Sequence, residues 1–457
     1  MRRSRVFTSY ARSSAKAPTG APLLALSIVF FLGLPGSLAR AAEPLVVHEW
    51  GTFTSFQSEQ GKAIGGINSD DEPLPDFVHS LNEDLIIGAF AQAQGAPRCH
   101  PDVTMRLETP VIYFHLPPGA APVTCDVHVE FHGGWLTQFY PYAFGSVKDS
   151  VGSHPFRFGH LRRDAIGKLD WFKIVVGGGR AGPRTDFRVW TAPRKVAAAP
   201  LLHTRKGESE AFLFYRGVGH LDAPIAVHRR GAELVVVSHP DPELAQDVPI
   251  AKIWLADFRM GGACGFRRMD PLTVKSGPTQ RLASWSAAIE SAPHSPAAAA
   301  SLRAEMRAAL IGEGLNADEA DALLVTWEIS YFKSPGLRAF FLVPRAWTDH
   351  YLPLTLSVPA TIVRVMVGRL EIVAPWQRRD VDRIAALTTS SSVHTLADEK
   401  ARAELYRGLG RFRNALVLDG QKRRPSGGLA EFIAKFDLEA FDLKPYEDPC
   451  RPDGGAP

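Results

Sequence analysis

Through the first two-thirds of the chain, apolar residues recur at the period of β-strands rather than helices. Val123, Cys125, Val127, Val129 and Phe131 alternate with polar residues and line one strand face. Pro110 to Phe114, Phe172–Val176, Phe187–Trp190, Ala211–Tyr215, Ile225–His228, Leu234–Ser238 and Ile250–Phe258 read as further strands, and Val46 to Phe56 as a buried one. Arg229-Arg230-Gly231-Ala232 joins two of these runs as a β-hairpin turn. Short strands separated by Gly- and Pro-containing loops predict packed antiparallel sheets rather than βαβ units.

The period changes near Ser295. Pro296 to Ile311 has helical spacing behind a Ser-Pro start, and Asn316 with Glu319 predicts a capping box for a second helix that Pro335-Gly336 ends. Strands resume at Ala339–Val343, Leu354–Leu356 and Thr361–Val373, the last with an expected bend at Gly368. Val381 to Phe441 is helical again. The predicted class is a β-rich α+β fold of packed antiparallel, sandwich-like sheets with a helical-pair insertion and a helical C-terminal region. Its expected divisions are a signal peptide at 1–41, a β-rich body at 42–294, the helical pair at 295–336, returning strands at 337–375 and the helical region at 376–457.

Residues 1–41 alter the electrostatic picture. A basic start (Arg2, Arg3, Arg5, Arg12, Lys16), an apolar run from Leu23 to Leu34 and Ala39-Arg40-Ala41 describe a secretory signal peptide, with an uncleaved anchor as the alternative. That stretch holds six Lys/Arg and no acid, so its removal turns the formal charge of +4 (52 basic against 48 acidic) into −2. A mature chain of this balance has no electrostatic case for nucleic acid, and no mature segment is long and apolar enough to span a membrane. The expected location is therefore periplasmic or extracellular. All four cysteines, Cys99, Cys125, Cys264 and Cys450, fall in the exported part, and the expected disulfides are Cys99–Cys125 and Cys264–Cys450.

Candidate chemistry begins in the first strand, where His48 and Glu49 interrupt an apolar run. Regular alternation sends adjacent side chains to opposite faces, so the two meet in one pocket only at a bulge, for which Gly51 is the natural place. Downstream, Asp70-Asp71-Glu72 and His79 offer oxygen and imidazole donors to a divalent cation. The metal-ligand candidates are His48, Asp71, Glu72 and His79. Arg345 and Asp349 sit in a polar turn between two strands, where Arg345 can hold an anionic group. Glu49, Arg345 and Asp349 are the catalytic candidates, with Glu49 or a loop carboxylate as general base or as a holder of the metal that activates water. Asp126, His128, Glu130 and His132 share one strand face, which a solvated amphipathic strand explains without a metal. No GxSxG elbow, P-loop, HExxH or paired CxxC is present.

His48-Glu49-Trp50-Gly51-Thr52-Phe53-Thr54-Ser55, Glu108-Thr109-Pro110-Val111-Ile112-Tyr113-Phe114 and Phe214-Tyr215-Arg216-Gly217 occur in this order along the chain. Val343-Pro344-Arg345, Thr348-Asp349, Leu352-Pro353-Leu354, Val363-Arg364-Val365 and Val367-Gly368-Arg369 follow. Together these stretches resemble a family of exported bacterial proteins whose mature chains begin with a His-Glu-Trp-Gly-Thr-Phe-Thr segment. The resemblance spans most of the mature chain and implies export, but no activity, substrate or cofactor. Family members carry a histidine in the acidic loop, where this chain has Asn68-Ser69-Asp70-Asp71-Glu72.

The expected function is an exported hydrolase with a carboxylate-rich, metal-assisted site, its cofactor a divalent metal ion and its ligand a small molecule or polysaccharide. The alternative is a non-catalytic module for envelope polysaccharide or protein, binding through Trp135, Phe139, Tyr140 and Tyr142.

Overall fold

The computed structural model describes residues 45–69, 73–81, 92–148, 158–259, 261–276, 284–287, 293–389 and 395–438. The expected signal peptide, Asp71, Glu72 and Cys450 lie outside them. The main strands are β1 (Leu45–Gln57), β2 (Met105–His115), β3 (Val123–His132), β4 (Gly134–Tyr140) and β5 (Ile166–Val176). They continue as β6 (Leu213–Gly219), β7 (Ile253–Phe258), β8 (Gly336–Leu342) and β9 (Ala360–Ile372). The helices are α1 (Pro296–Gly312), α2 (Ala317–Thr326), α3 (Arg345–Tyr351), α4 (Pro375–Thr389), α5 (Leu396–Gly408), α6 (Arg413–Arg423) and α7 (Gly427–Lys435).

The fold is α+β and β-rich. Its large sheet runs β4-β6-β2-β1-β9-β8-β7 through the middle, and β3 and β5 pair with each other farther along it. The sheet is mixed: among its mostly antiparallel pairs, β1 and β9 lie parallel over their whole length, from Leu45 opposite Ala360 to Gln57 opposite Ile372. Two strands so far apart in the chain need no hairpin, so local turn chemistry does not signal their pairing.

β1 sits at the centre because it is apolar enough to be covered on both faces. Val47 and Phe53 enter a core with Ile112, Trp171, Leu213 and Tyr215, while Trp50 enters the opposite one with Tyr113, Phe214, Leu323 and Trp327. A third cluster, including Phe56, Ile384, Phe412 and Phe432, seats the C-terminal helices. Pairing between β1 and β2 slips at Gly51, between Trp50 and Thr52. A Cβ on Gly51 would stand 2.9 Å from Pro110 Cα, so glycine is required by close backbone approach.

Four local readings are corrected. Residues 188–191 form a short helical turn instead of a strand, closed by Trp190 and Thr191 N–H bonds to the Phe187 carbonyl. Arg345 and Asp349 occupy a helix, not an open turn. Gly368 does not bend β9; it makes room for the Phe341 ring, whose Cζ would lie 2.2 Å from an added Cβ. Cys99 and Cys125 are free and buried: Cys99 Sγ is 3.7 Å from Asn414 Nδ2, whereas Cys125 belongs to the core beneath β3 and β5. The capping box of α2 is formed, and Ser295 caps α1 by accepting from Ala298 N–H.

Candidate functional site

The strand face that carries His48 brings three chemically competent side chains together. His48 stands opposite Tyr113 and Val46 opposite His115, so the two histidines are diagonal neighbours on one face. Their ring centroids are 4.7 Å apart. The third group arrives from above: Glu319 is the capping-box residue in the first turn of α2, a position at which carboxylates are favoured. His48 Nδ1 lies 2.7 Å from Glu319 Oε2, and His115 Nε2 lies 3.0 Å from Oε1. One donor atom from each residue falls within 4.8 Å of the others.

Glu319 is fully buried. Burial alone raises its pKa, but hydrogen bonds from His115, His48 and the Asn316 N–H outweigh that and hold it at about 2. The result is a permanent anion facing two imidazoles. His48 is nearly covered, while the His115 side chain retains 19% exposure and gives the trio an edge toward solvent. Two imidazoles and a carboxylate are a donor set suited to zinc or a similar transition ion, with room in the coordination sphere for a non-protein ligand.

Glu49 leaves the opposite face and is fully buried. Its Oε2 accepts from Arg364 Nε at 2.5 Å, and its Oε1 accepts from the Tyr215 hydroxyl at 2.6 Å. Arg364 reaches on to Asp349 at 2.9 Å, and Asp349 accepts from Arg345 Nε at 2.6 Å. Glu49, Arg345 and Asp349 are thus joined through Arg364 into one ion chain that runs from the core to the α3 surface. Burial pushes the Tyr215 hydroxyl well above its usual range, with the Glu49 charge adding to the effect. Burial opposes the Arg364 charge, but Glu49 more than compensates and keeps its pKa above the ordinary value. Such a buried, paired carboxylate is placed to fix structure.

The remaining candidates lie elsewhere. His79 Nε2 meets Glu208 at 2.8 Å beside Phe139, Tyr140 and Tyr142, apart from the His48 trio. His128 pairs with Asp170, while Glu130 is shared by His132 and Lys168, forming ion pairs along the polar face of β3. Of the four aromatics named for the binding-module alternative, Trp135, Phe139 and Tyr140 are buried, whereas Tyr142 is half-buried. Two surface concavities of about 420 Å³ include none of the trio; one is lined by Asp102, His160 and His220, the other by Pro296, Arg303 and Phe332.

No family model matches the chain, and no curated protein matches it. Among solved structures, the Fcho1 mu homology domain of Danio rerio with bound Eps15 peptide is similar at a TM-score of 0.30 and 8% identity, over 73% of this chain and 98% of that one. The yeast delta-COP-I mu-homology domain complexed with a Dsl1 WxWxV peptide gives 0.21 and 9%, over 73% and 97%. Likenesses at this level carry no argument about function.

Proposed function

We propose that the protein is an exported hydrolase whose divalent metal ion is held by His48, His115 and Glu319. The observation that carries this reading is the convergence of two strand imidazoles and one anionic helix-cap carboxylate within 4.8 Å. Three protein ligands with a remaining coordination position are typical of catalytic rather than structural zinc. A metal bound there would supply Lewis acidity and lower the pKa of a water molecule. Glu319 holds the charge complement, His48 fixes the buried side of the site, and His115 borders the solvent edge. The proposed substrate is an extracytoplasmic small molecule or polysaccharide. The buried aromatics weigh against the binding-module alternative. Among the described residues, no helix is long and apolar enough to cross a membrane.

The test is elemental analysis of the exported chain after dialysis, followed by ester, phosphoester and glycoside hydrolysis assays with and without zinc, manganese or cobalt. The reading expects about one metal ion per chain and activity that a chelator removes, with both lost in His115→Ala. Metal retention without hydrolysis would leave a structural clamp. Failure to retain any of the three ions would remove the metal centre itself.

A further inference from the structure

The face of β1 that bears His48 continues through Trp50 to Thr52 and Thr54, and there its surroundings change from aromatic to cationic. Thr52 stands opposite Glu108, and Thr54 lies between Arg106 of β2 and Arg369 of β9. The Thr52 and Tyr331 hydroxyls are 2.5 Å apart, and the Arg369 guanidinium lies 5.7 Å from the centre of the Tyr331 ring. Arg411, just before α6, reaches Glu108 at 3.0 Å and lies 6.0 Å from the Trp327 ring. Arg369 and Arg338 share Glu371. Tyr331 belongs to a π-helical turn, Ile329–Lys333, a backbone form that recurs at functional sites.

This group is unusual for its burial. Arg106, Arg369 and Glu108 side chains are no more than 1% exposed, and Arg411 only 6%. Arg369 Nη1, Thr54 Oγ1 and Trp327 Nε1 are buried and make no hydrogen bond with the described residues. Nearby Thr109, at φ +52°, holds a conformation that β-branched residues avoid, and its hydroxyl likewise makes none. Unsatisfied buried donors are uncommon in native proteins and call for an acceptor. Here they lie beside arginines whose planar forks match carboxylate and phosphate oxygens.

We propose that this buried cluster is a second site, distinct from the His48 trio, that binds an oxyanion on a small molecule, either a carboxylate or a phosphate. Thr54 and Arg369 donate to it from the sheet, beside Tyr331 of the π turn.

The experiment is isothermal titration and thermal denaturation of the exported chain with inorganic phosphate or succinate, at constant ionic strength against chloride. Saturable binding is expected for at least one probe, weakened about tenfold or more in both Thr54→Val and Arg369→Gln. Metal content at the trio should stay unchanged in Thr54→Val. Response to phosphate alone or succinate alone identifies the oxyanion. If Arg369→Gln fails to fold, the near-isosteric Thr54→Val carries the test. Absence of saturable binding by both probes, or binding unaltered in Thr54→Val, overturns the proposal without touching the metal reading.

Discussion

His48 Nδ1 lies 2.7 Å from a carboxylate oxygen of Glu319, a residue 271 positions later in the chain. That contact ties the central strand to the first turn of α2 and turns a helix-capping residue into the anionic corner of a His₂Glu group.

The depressed pKa of Glu319 makes a signed prediction. Its folded value of about 2 lies below the ordinary carboxylate range, so its stabilisation is fully present above the unfolded pKa of about 4.3. It is lost as pH falls through 4 toward 2. In metal-free buffer, Glu319→Gln should be less stable than wild type at pH 7 by on the order of 3 kcal/mol, with the gap closing in acid. Urea denaturation across this range checks it; a gap independent of pH contradicts it.

Glu49 and Asp349 flank the same arginine but should differ sharply in weight. Glu49→Ala strands the buried Arg364 charge and should cost about 3–5 kcal/mol. Asp349 is half exposed, and Asp349→Ala should cost under about 1 kcal/mol. Equal losses in chemical denaturation would show that the Glu49 pair is not the buried anchor.

Gly51→Ala tests the strand slip. The added Cβ would press on Pro110, and a loss of about 1–3 kcal/mol is expected from overpacking between β1 and β2. Thermal denaturation within about 0.5 kcal/mol of wild type would contradict the required close approach.

The thiols of Cys99, Cys125 and Cys264 should be protected in the folded protein. Burial pushes Cys125 and Cys264 up to about 11, which leaves little thiolate at neutral pH. Alkylation followed by peptide mapping should label all three only after unfolding. Recovery of a Cys99–Cys125 cross-linked peptide would contradict the structure.

Particular residues show how much of this was legible in sequence. The β-rich body could be read because Val123 to Phe131 alternates strictly, and α2 because Asn316 and Glu319 are spaced for a capping box. His48 stood out as an imidazole in an apolar strand, and alternation alone separates its side chain from that of Glu49. Glu319 was visible only as a cap, since capping fully accounts for a glutamate at that position. His115 closes a strand beside a Pro-Pro loop, where a polar residue is ordinary. Arg364 carried a signal, a charge between Val363 and Val365, but its partner in β1 is 315 residues away. The trio depends on the β1–β2 pairing and on the docking of α2, and the Glu49 ion chain on the parallel β1–β9 pairing, all long-range events without a local code.

X-ray absorption at the metal edge of the metal-loaded protein tests the central claim most directly. The account predicts a first shell containing two imidazole nitrogens and a carboxylate oxygen, at about 2.0–2.2 Å for zinc, with that shell absent in His115→Ala. A shell without histidine, or one unchanged in that variant, would contradict it.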